Sequence, residues 1–192
     1  MSNNPNHPKK GSTIRVEPIR HLKDIKAIKR LLQDSPRDFC LFTLGINTNL
    51  RASDLLAITA GMVRNEEELV LKEKKTGKER RITLNTTTQK AIQRLLDSRE
   101  YDDDDRLFQG QRGPLTVPSV NRLVKGWCRV INLKGNYGSH TLRKTFGYHQ
   151  RVTFGRGLPE LMTVFNHSSQ KQTLDYLCVQ PEEIKDIYLN EL

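Results

Sequence analysis

Apolar residues along the chain follow two different periods, and the changes between them divide it into elements. Leu22, Ile25, Ile28, Leu31 and Leu32 recur at helical spacing while Lys23, Lys26, Lys29 and Arg30 fill the other faces, which predicts an amphipathic first helix. Ser35-Pro36-Arg37-Asp38 reads as the start of a second helix: serine can cap, proline suits the first turn, and Asp38 can reach back as in a capping box. Phe39, Leu41, Phe42 and Leu44 make that helix mostly buried. From Glu68 to Asn85 the period changes to two, with Leu69, Leu71, Ile82 and Leu84 alternating around a Thr76-Gly77 turn, the pattern of a β-hairpin. Helical spacing then returns in Ala91, Ile92, Leu95 and Leu96, behind a cap at Asn85 or a following threonine. It returns again after the acidic loop Tyr101 to Arg106, in Val120, Leu123, Val124, Trp127, Val130 and Ile131, with further short helices from about Ser139 onward. The class is mainly α with a small antiparallel β-sheet, and no internal repeat is visible.

At 192 residues the chain is long enough for one domain with a hydrophobic core and short for two. The first twenty residues hold Pro5, Pro8, Lys9, Lys10 and Gly11 and little that can pack. They are expected to form a flexible basic tail (1–20) ahead of one domain spanning 21–192. A formal charge of +10 points to a polyanionic partner, either nucleic acid or an anionic membrane surface. No apolar run approaches the length that spans a bilayer, and the polar opening Met1 to Gly11 lacks the core of a signal peptide. A soluble, cytoplasmic protein is the expectation. Cys40, Cys128 and Cys178 are odd in number, widely spaced and set among apolar neighbours, as free buried thiols are. Without a CxxC pair or histidines at ligand spacing, no metal site is expected.

Four separated features carry candidate chemistry. The first is Asn49-Leu50-Arg51-Ala52-Ser53-Asp54, an arginine at the junction of two apolar helices with an acid three positions on. The second is the hairpin sequence Lys74-Lys75-Thr76-Gly77-Lys78-Glu79-Arg80. In the third, Ser139-His140-Thr141-Leu142-Arg143, the histidine and arginine lie three apart on one side of a helix. A serine cap there would leave both near the positive end of the helix, which suits an anion. The fourth is Phe165-Asn166-His167-Ser168-Ser169, followed nine positions after His167 by Tyr176. Singly, each has an ordinary explanation: a paired or surface arginine, a solvated turn, a core histidine or tyrosine.

The ordered set Arg, Lys, His-x-x-Arg, His, Tyr resembles the catalytic constellation of the phage-integrase family of tyrosine recombinases, over roughly Leu22 to Leu192. The resemblance implies the catalytic-domain fold of that family and a site-specific recombinase that cuts and rejoins DNA through a 3′-phosphotyrosyl intermediate. It implies that Arg51 and Arg143 bind the phosphate, His140 accepts a proton, Lys75 protonates the leaving oxygen, His167 hydrogen-bonds the phosphate and Tyr176 is the nucleophile. Asp54 would hold these groups in place, and Lys9, Lys10, Lys74 and Lys78 are candidates for DNA contact. It implies no metal and no cofactor. Double-stranded DNA is the partner implied, with a homotetramer on paired sites and accessory DNA-bending proteins; the C-terminal stretch Pro181 to Leu192 either closes its own core or, as the resemblance implies, docks on a neighbouring protomer. The rival readings are a type IB topoisomerase and a DNA-binding regulator that kept the fold and lost catalysis. Asn49 and Asn166 stand where the family often has glycine, and asparagine shares glycine's left-handed backbone most readily, so the turns are expected to survive. Lys144 replaces a frequent histidine. Only the short tail precedes the first helix, where many members carry a helical DNA-clamping domain.

Overall fold

The computed structural model describes residues 16–167, 169–177 and 189. Lys9, Lys10, Ser168, Cys178 and, Leu189 apart, the stretch Pro181 to Leu192 lie outside the described residues. Helix α1 (Leu22–Leu31) leads into α2 (Pro36–Asn47), which runs through the core with Cys40, Leu41, Phe42 and Leu44 inaccessible to solvent. Helix α2 packs against α4 (Thr86–Leu96) and α6 (Ser139–Tyr148), while α5 (Val117–Val130) brings Trp127 edge-on to Phe42 at 5.9 Å. Gly45 permits the close crossing of α2 and α6, since a β-carbon there would lie 2.6 Å from Leu142 Cδ1.

The hairpin is formed by β1 (Glu68–Lys72) and β2 (Glu79–Thr83), antiparallel with Leu69 opposite Ile82 and Leu71 opposite Arg80. Leu69 and Leu71 face inward as the period-two pattern requires. The turn is wider than a two-residue loop: six residues, 73–78, separate the strands, closed by Gly77 N donating to Glu73 O at 2.8 Å. Gly77 takes a left-handed φ of 67°, which is open to glycine at little strain. A second short hairpin, β3 (Gln109–Gly110) with β4 (Gly113–Pro114), was not visible in the hydrophobic pattern, because its strands are two residues each and hold no apolar alternation.

Three local expectations are corrected. Ser35 makes no side-chain cap and Asp38 does not reach back to it, because the Asp38 carboxylate takes Arg37 Nε at 2.7 Å instead. Ser139 is the first helical residue of α6 and not its cap: Gly138 occupies that place, and Asn121 Oδ1 accepts from Ser139 N at 3.1 Å. The end of the presumed tail, residues 16–20, is built into the domain. Ile19 is fully buried, its N donates to Thr145 Oγ1 at 2.9 Å, and its carbonyl lies 3.0 Å from His149 Nε2. Ile14, Val16 and Ile19 are too few and too unevenly spaced to set up a helical or strand period that would reveal that contact. Asn85 caps α4 as expected, accepting from Thr88 N at 2.9 Å.

After α6 a single wide turn (His149–Thr153) leads to α7 (Leu158–Phe165) and α8 (Gln170–Leu177). Leu161, Phe165 and Leu177 form a small second core there, against Phe146, Leu158 and Tyr176. Asn49 and Asn166 both adopt the left-handed conformation, at φ of 55° and 54°, as their glycine-like positions require. Asn49 makes the corner that ends α2 and starts α3 (Ala52–Leu55) at Arg51, and Asn166 ends α7 just before His167.

Candidate active site

Six side chains expected to act together come from five places in the chain, and the fold brings them to one region. Arg51 stands at the start of α3, with its Nη1 3.0 Å from Glu73 Oε2 and 3.7 Å from Asp54 Oδ2. Asp54 is buried, and its Oδ1 accepts from the backbone N of Lys74 at 2.9 Å, so it supports both the arginine and the hairpin turn. Lys74, Lys75 and Lys78 have exposed side chains on that turn. Arg143, on the second turn of α6, is only 3% exposed and donates from Nη2 to Phe165 O at 3.1 Å. Its Nε and Nη1 are buried and meet no acceptor among the described residues. Burial, followed by the charges of Arg51 and Arg80, lowers its pKa to about 10, partly offset by Tyr176 and Glu73. It remains a full cation at neutral pH.

The end of α7 is held by three side chains from three other segments. Val164 O accepts from Asn49 Nδ2 at 2.8 Å and from Arg80 Nη2 at 2.9 Å, and Phe165 O accepts from Arg143. The last carbonyls of a helix lack partners within it and carry its negative end, so two guanidiniums and an amide suit them. His167, two residues on, is thereby set beside the arginines. Burial, then the positive charges of Arg143, Arg51 and Lys75, push His167 down to about 4, and its Nδ1 lies 3.1 Å from Thr173 Oγ1. The pKa of His140 is lowered by partial burial and then by the charges of Arg143, Lys144 and Arg51. Both imidazoles are therefore neutral near pH 7.

Tyr176 lies on α8, half-buried with its hydroxyl inaccessible to solvent. Phe165 is 5.1 Å and His167 5.7 Å from it between ring centroids, and Arg143 Cζ and Lys144 Nζ lie 5.6 and 5.5 Å from its centroid. Two cations thus lie against one phenol ring.

Glu73 and Arg80 were missed as members of this site. Glu73 is 1% exposed and accepts from Arg51 Nη1, from Thr76 Oγ1 at 2.9 Å and from Arg80 Nη1 at 3.0 Å. Burial pushes its carboxyl up, but the hydrogen bonds from Thr76, Arg51 and Arg80 and the Arg51 charge outweigh it and hold it at about 2. A signal did exist: the alternation Leu69, Leu71 continues inward to Glu73, and Ile82 and Leu84 continue back to Arg80, so both charges fall on the buried face.

The family model described as the phage integrase family matches residues 13–183. The chain belongs to the phage integrase family. It is 33% identical over 178 residues to the probable integrase/recombinase YoeC of Bacillus subtilis (strain 168), covering 90% of this chain and 95% of that one. It is 30% identical to the tyrosine recombinase XerC of Caldanaerobacter subterraneus subsp. tengcongensis (strain DSM 15242 / JCM 11007 / NBRC 100824 / MB4), over 82% of this chain but 47% of the relative. The chain thus spans nearly all of one relative and about half of the other. The crystal structure of XerA recombinase superposes with a TM-score of 0.75 at 19% identity, over 95% of this chain and 65% of that one. XerH site-specific recombinase bound to palindromic difH substrate, a post-cleavage complex, gives 0.73 at 17% identity, over 95% and 55%. Membership in the phage integrase family and these shared folds bear out the resemblance and the mainly helical class read from the chain.

Proposed function

We propose that the chain is the catalytic domain of a site-specific DNA recombinase that cleaves and rejoins strands through a covalent bond between Tyr176 and a 3′-phosphate. One observation carries this reading: a buried guanidinium, Arg143, has two nitrogens with no acceptor among the described residues and lies beside Arg51 and against the ring of Tyr176. Unsatisfied buried donors are costly, and an anionic phosphate is the chemical complement of this pair. The two recombinase relatives support the reading, as does the structure of XerH on its DNA substrate.

The reading gives each step to one of these residues. A phenol with a reference pKa of about 10 is a weak nucleophile, so loss of its proton is the first requirement. Neutral His140 accepts that proton as the Tyr176 oxygen forms its bond to phosphorus. Arg51 and Arg143 bind the non-bridging oxygens and the charge that grows on them in the pentacoordinate transition state. The bond from phosphorus to the 5′-oxygen breaks, and Lys75 gives that oxygen a proton. When Thr173 donates to His167 Nδ1, the imidazole proton sits on Nε2 and can be given in hydrogen bonding to the phosphate. Attack by a new 5′-hydroxyl reverses the steps and releases Tyr176, so the phosphotyrosyl bond supplies the energy for rejoining.

Double-stranded DNA is the partner, with Lys74 and Lys78 close to the scissile phosphate and Lys9 and Lys10 contacting the flanking backbone. Four copies assemble on two paired sites, assisted by DNA-bending proteins. A topoisomerase or a non-catalytic regulator is not favoured, since both relatives carry recombinase names and all six positions are filled. The test is a nicked suicide duplex that traps the covalent adduct. Tyr176→Phe should bind the duplex with parent affinity and form no adduct; an undiminished adduct overturns the assignment.

A further inference from the structure

The Lys75 side chain is exposed, but its two neighbours are tied down, Lys74 through its backbone N and Thr76 through its hydroxyl. A general acid acts only within hydrogen-bond reach of its acceptor, and a misplacement of about 1 Å can slow a reaction roughly a hundredfold. Lys75 has an exposed side chain on a six-residue turn. Glu73, two positions before it, spans that turn. Its Oε2 receives both the Thr76 hydroxyl at 2.9 Å and Arg51 Nη1 at 3.0 Å, and its backbone carbonyl receives Gly77 N at 2.8 Å. Its Oε1 receives Arg80 Nη1 at 3.0 Å, and Arg80 in turn holds the end of α7 ahead of His167. Asp54 fixes the Glu73–Lys74 peptide by accepting from Lys74 N. The same carboxylate oxygen thus touches the arginine that would bind the phosphate and the threonine next to the lysine that would protonate the leaving group.

We propose that Glu73 is a positioning residue that fixes the Lys75 turn against Arg51, so that the proton donor and the phosphate-binding group keep one spacing. This inference rests on the reading of Lys75 as the proton donor. A buried ion pair serving stability alone would show the same contacts, so the test must report on leaving-group protonation rather than on rate.

Replacing the bridging 5′-oxygen of the suicide duplex by sulfur provides that report, because a thiolate leaves without a proton. Single-turnover cleavage is measured on both duplexes for the full chain and for Lys75→Ala, Glu73→Gln, Thr76→Val and Arg51→Ala. Thr76→Val removes, from an exposed position, the hydroxyl that donates to Glu73 and accepts from Lys78 N at 3.3 Å, so it keeps the fold when Glu73→Gln does not; circular dichroism checks both. Lys75→Ala should be slow on oxygen and recover on sulfur, whereas Arg51→Ala should stay slow on both. Glu73→Gln and Thr76→Val should raise the sulfur-to-oxygen rate ratio above the parent's, by roughly tenfold for the loss of one well-placed hydrogen bond. If Lys75→Ala recovers on sulfur while Glu73→Gln and Thr76→Val keep the parent's ratio, Glu73 does not position Lys75 and the donor assignment stands. If Lys75→Ala fails to recover, the donor assignment falls and the role given to Glu73 falls with it.

Discussion

Replacing Glu73 by glutamine should alter how the stability of the domain depends on pH, and the structure gives both the sign and the size. The carboxylate is held at about 2 against an ordinary 4.5. A group whose pKa is lower in the folded state favours folding when ionised. Its contribution is complete above pH 4.5 and is lost as pH falls toward 2. The drop corresponds to roughly 3 kcal/mol, at 1.36 kcal/mol per unit. Glutamine matches the shape and has no charge to lose, and its amide nitrogen must face Arg80 or Arg51, donor against donor. Urea unfolding at intervals from pH 7 to pH 3 should therefore find the parent more stable than Glu73→Gln by up to about 3 kcal/mol at pH 7. The gap should narrow continuously below pH 4.5. Other acids titrate in both proteins and cancel in the difference. A gap that stays constant from pH 7 to pH 3 would refute the claim that Glu73 is held ionised by its arginines, and would place the defect in packing instead.

Other expectations follow from single contacts. Arg143→Lys keeps a charge but loses the planar fork, so the single-turnover cleavage rate should fall roughly 100- to 1000-fold with DNA affinity nearly kept; a rate within threefold of the parent would count against Arg143 binding the phosphate. Gly45→Ala forces a β-carbon to 2.6 Å from Leu142 Cδ1 and should lower stability by about 1–3 kcal/mol, seen as a reduced Tm, and an unchanged Tm would mean that α2 and α6 separate easily. Deleting Met1 to Gly11 removes Lys9 and Lys10 and should reduce the slope of log affinity against log salt by about 2, measured by fluorescence anisotropy; an unchanged slope would mean that the tail does not touch phosphates.

The candidate site was legible to the extent that it depends on residue type and order. Arg51, His140, Arg143, His167 and Tyr176 stand in a linear order that survives without any knowledge of the fold, and Lys75 is marked by the hairpin around it. The elements were legible for a related reason: helical and strand periods are local, so the chain displays α1, α2, α4, α5 and the hairpin in its own pattern. The caps of α2 and α6 were misjudged because capping is settled by competition. Arg37 takes the carboxylate of Asp38, and Asn121, 18 positions away, takes the first amide of α6.

The sequence by itself determined the helical class, the hairpin, the left-handed corners at two asparagines and the candidate site residues, because each is written in neighbouring residues or in residue chemistry. The tertiary structure alone decided how those groups are held. Asn49 and Arg80 reach Val164 from 115 and 84 positions away, Glu73 reaches back 22 positions to Arg51, and Ile19 reaches Thr145 across 126. Such contacts leave no periodic trace, since a hydrogen bond between distant residues constrains their types only weakly and their spacing not at all. What sets the chemistry of Arg51 and Arg143, a buried carboxylate on one and two unmatched donors on the other, exists only once the chain has closed around them.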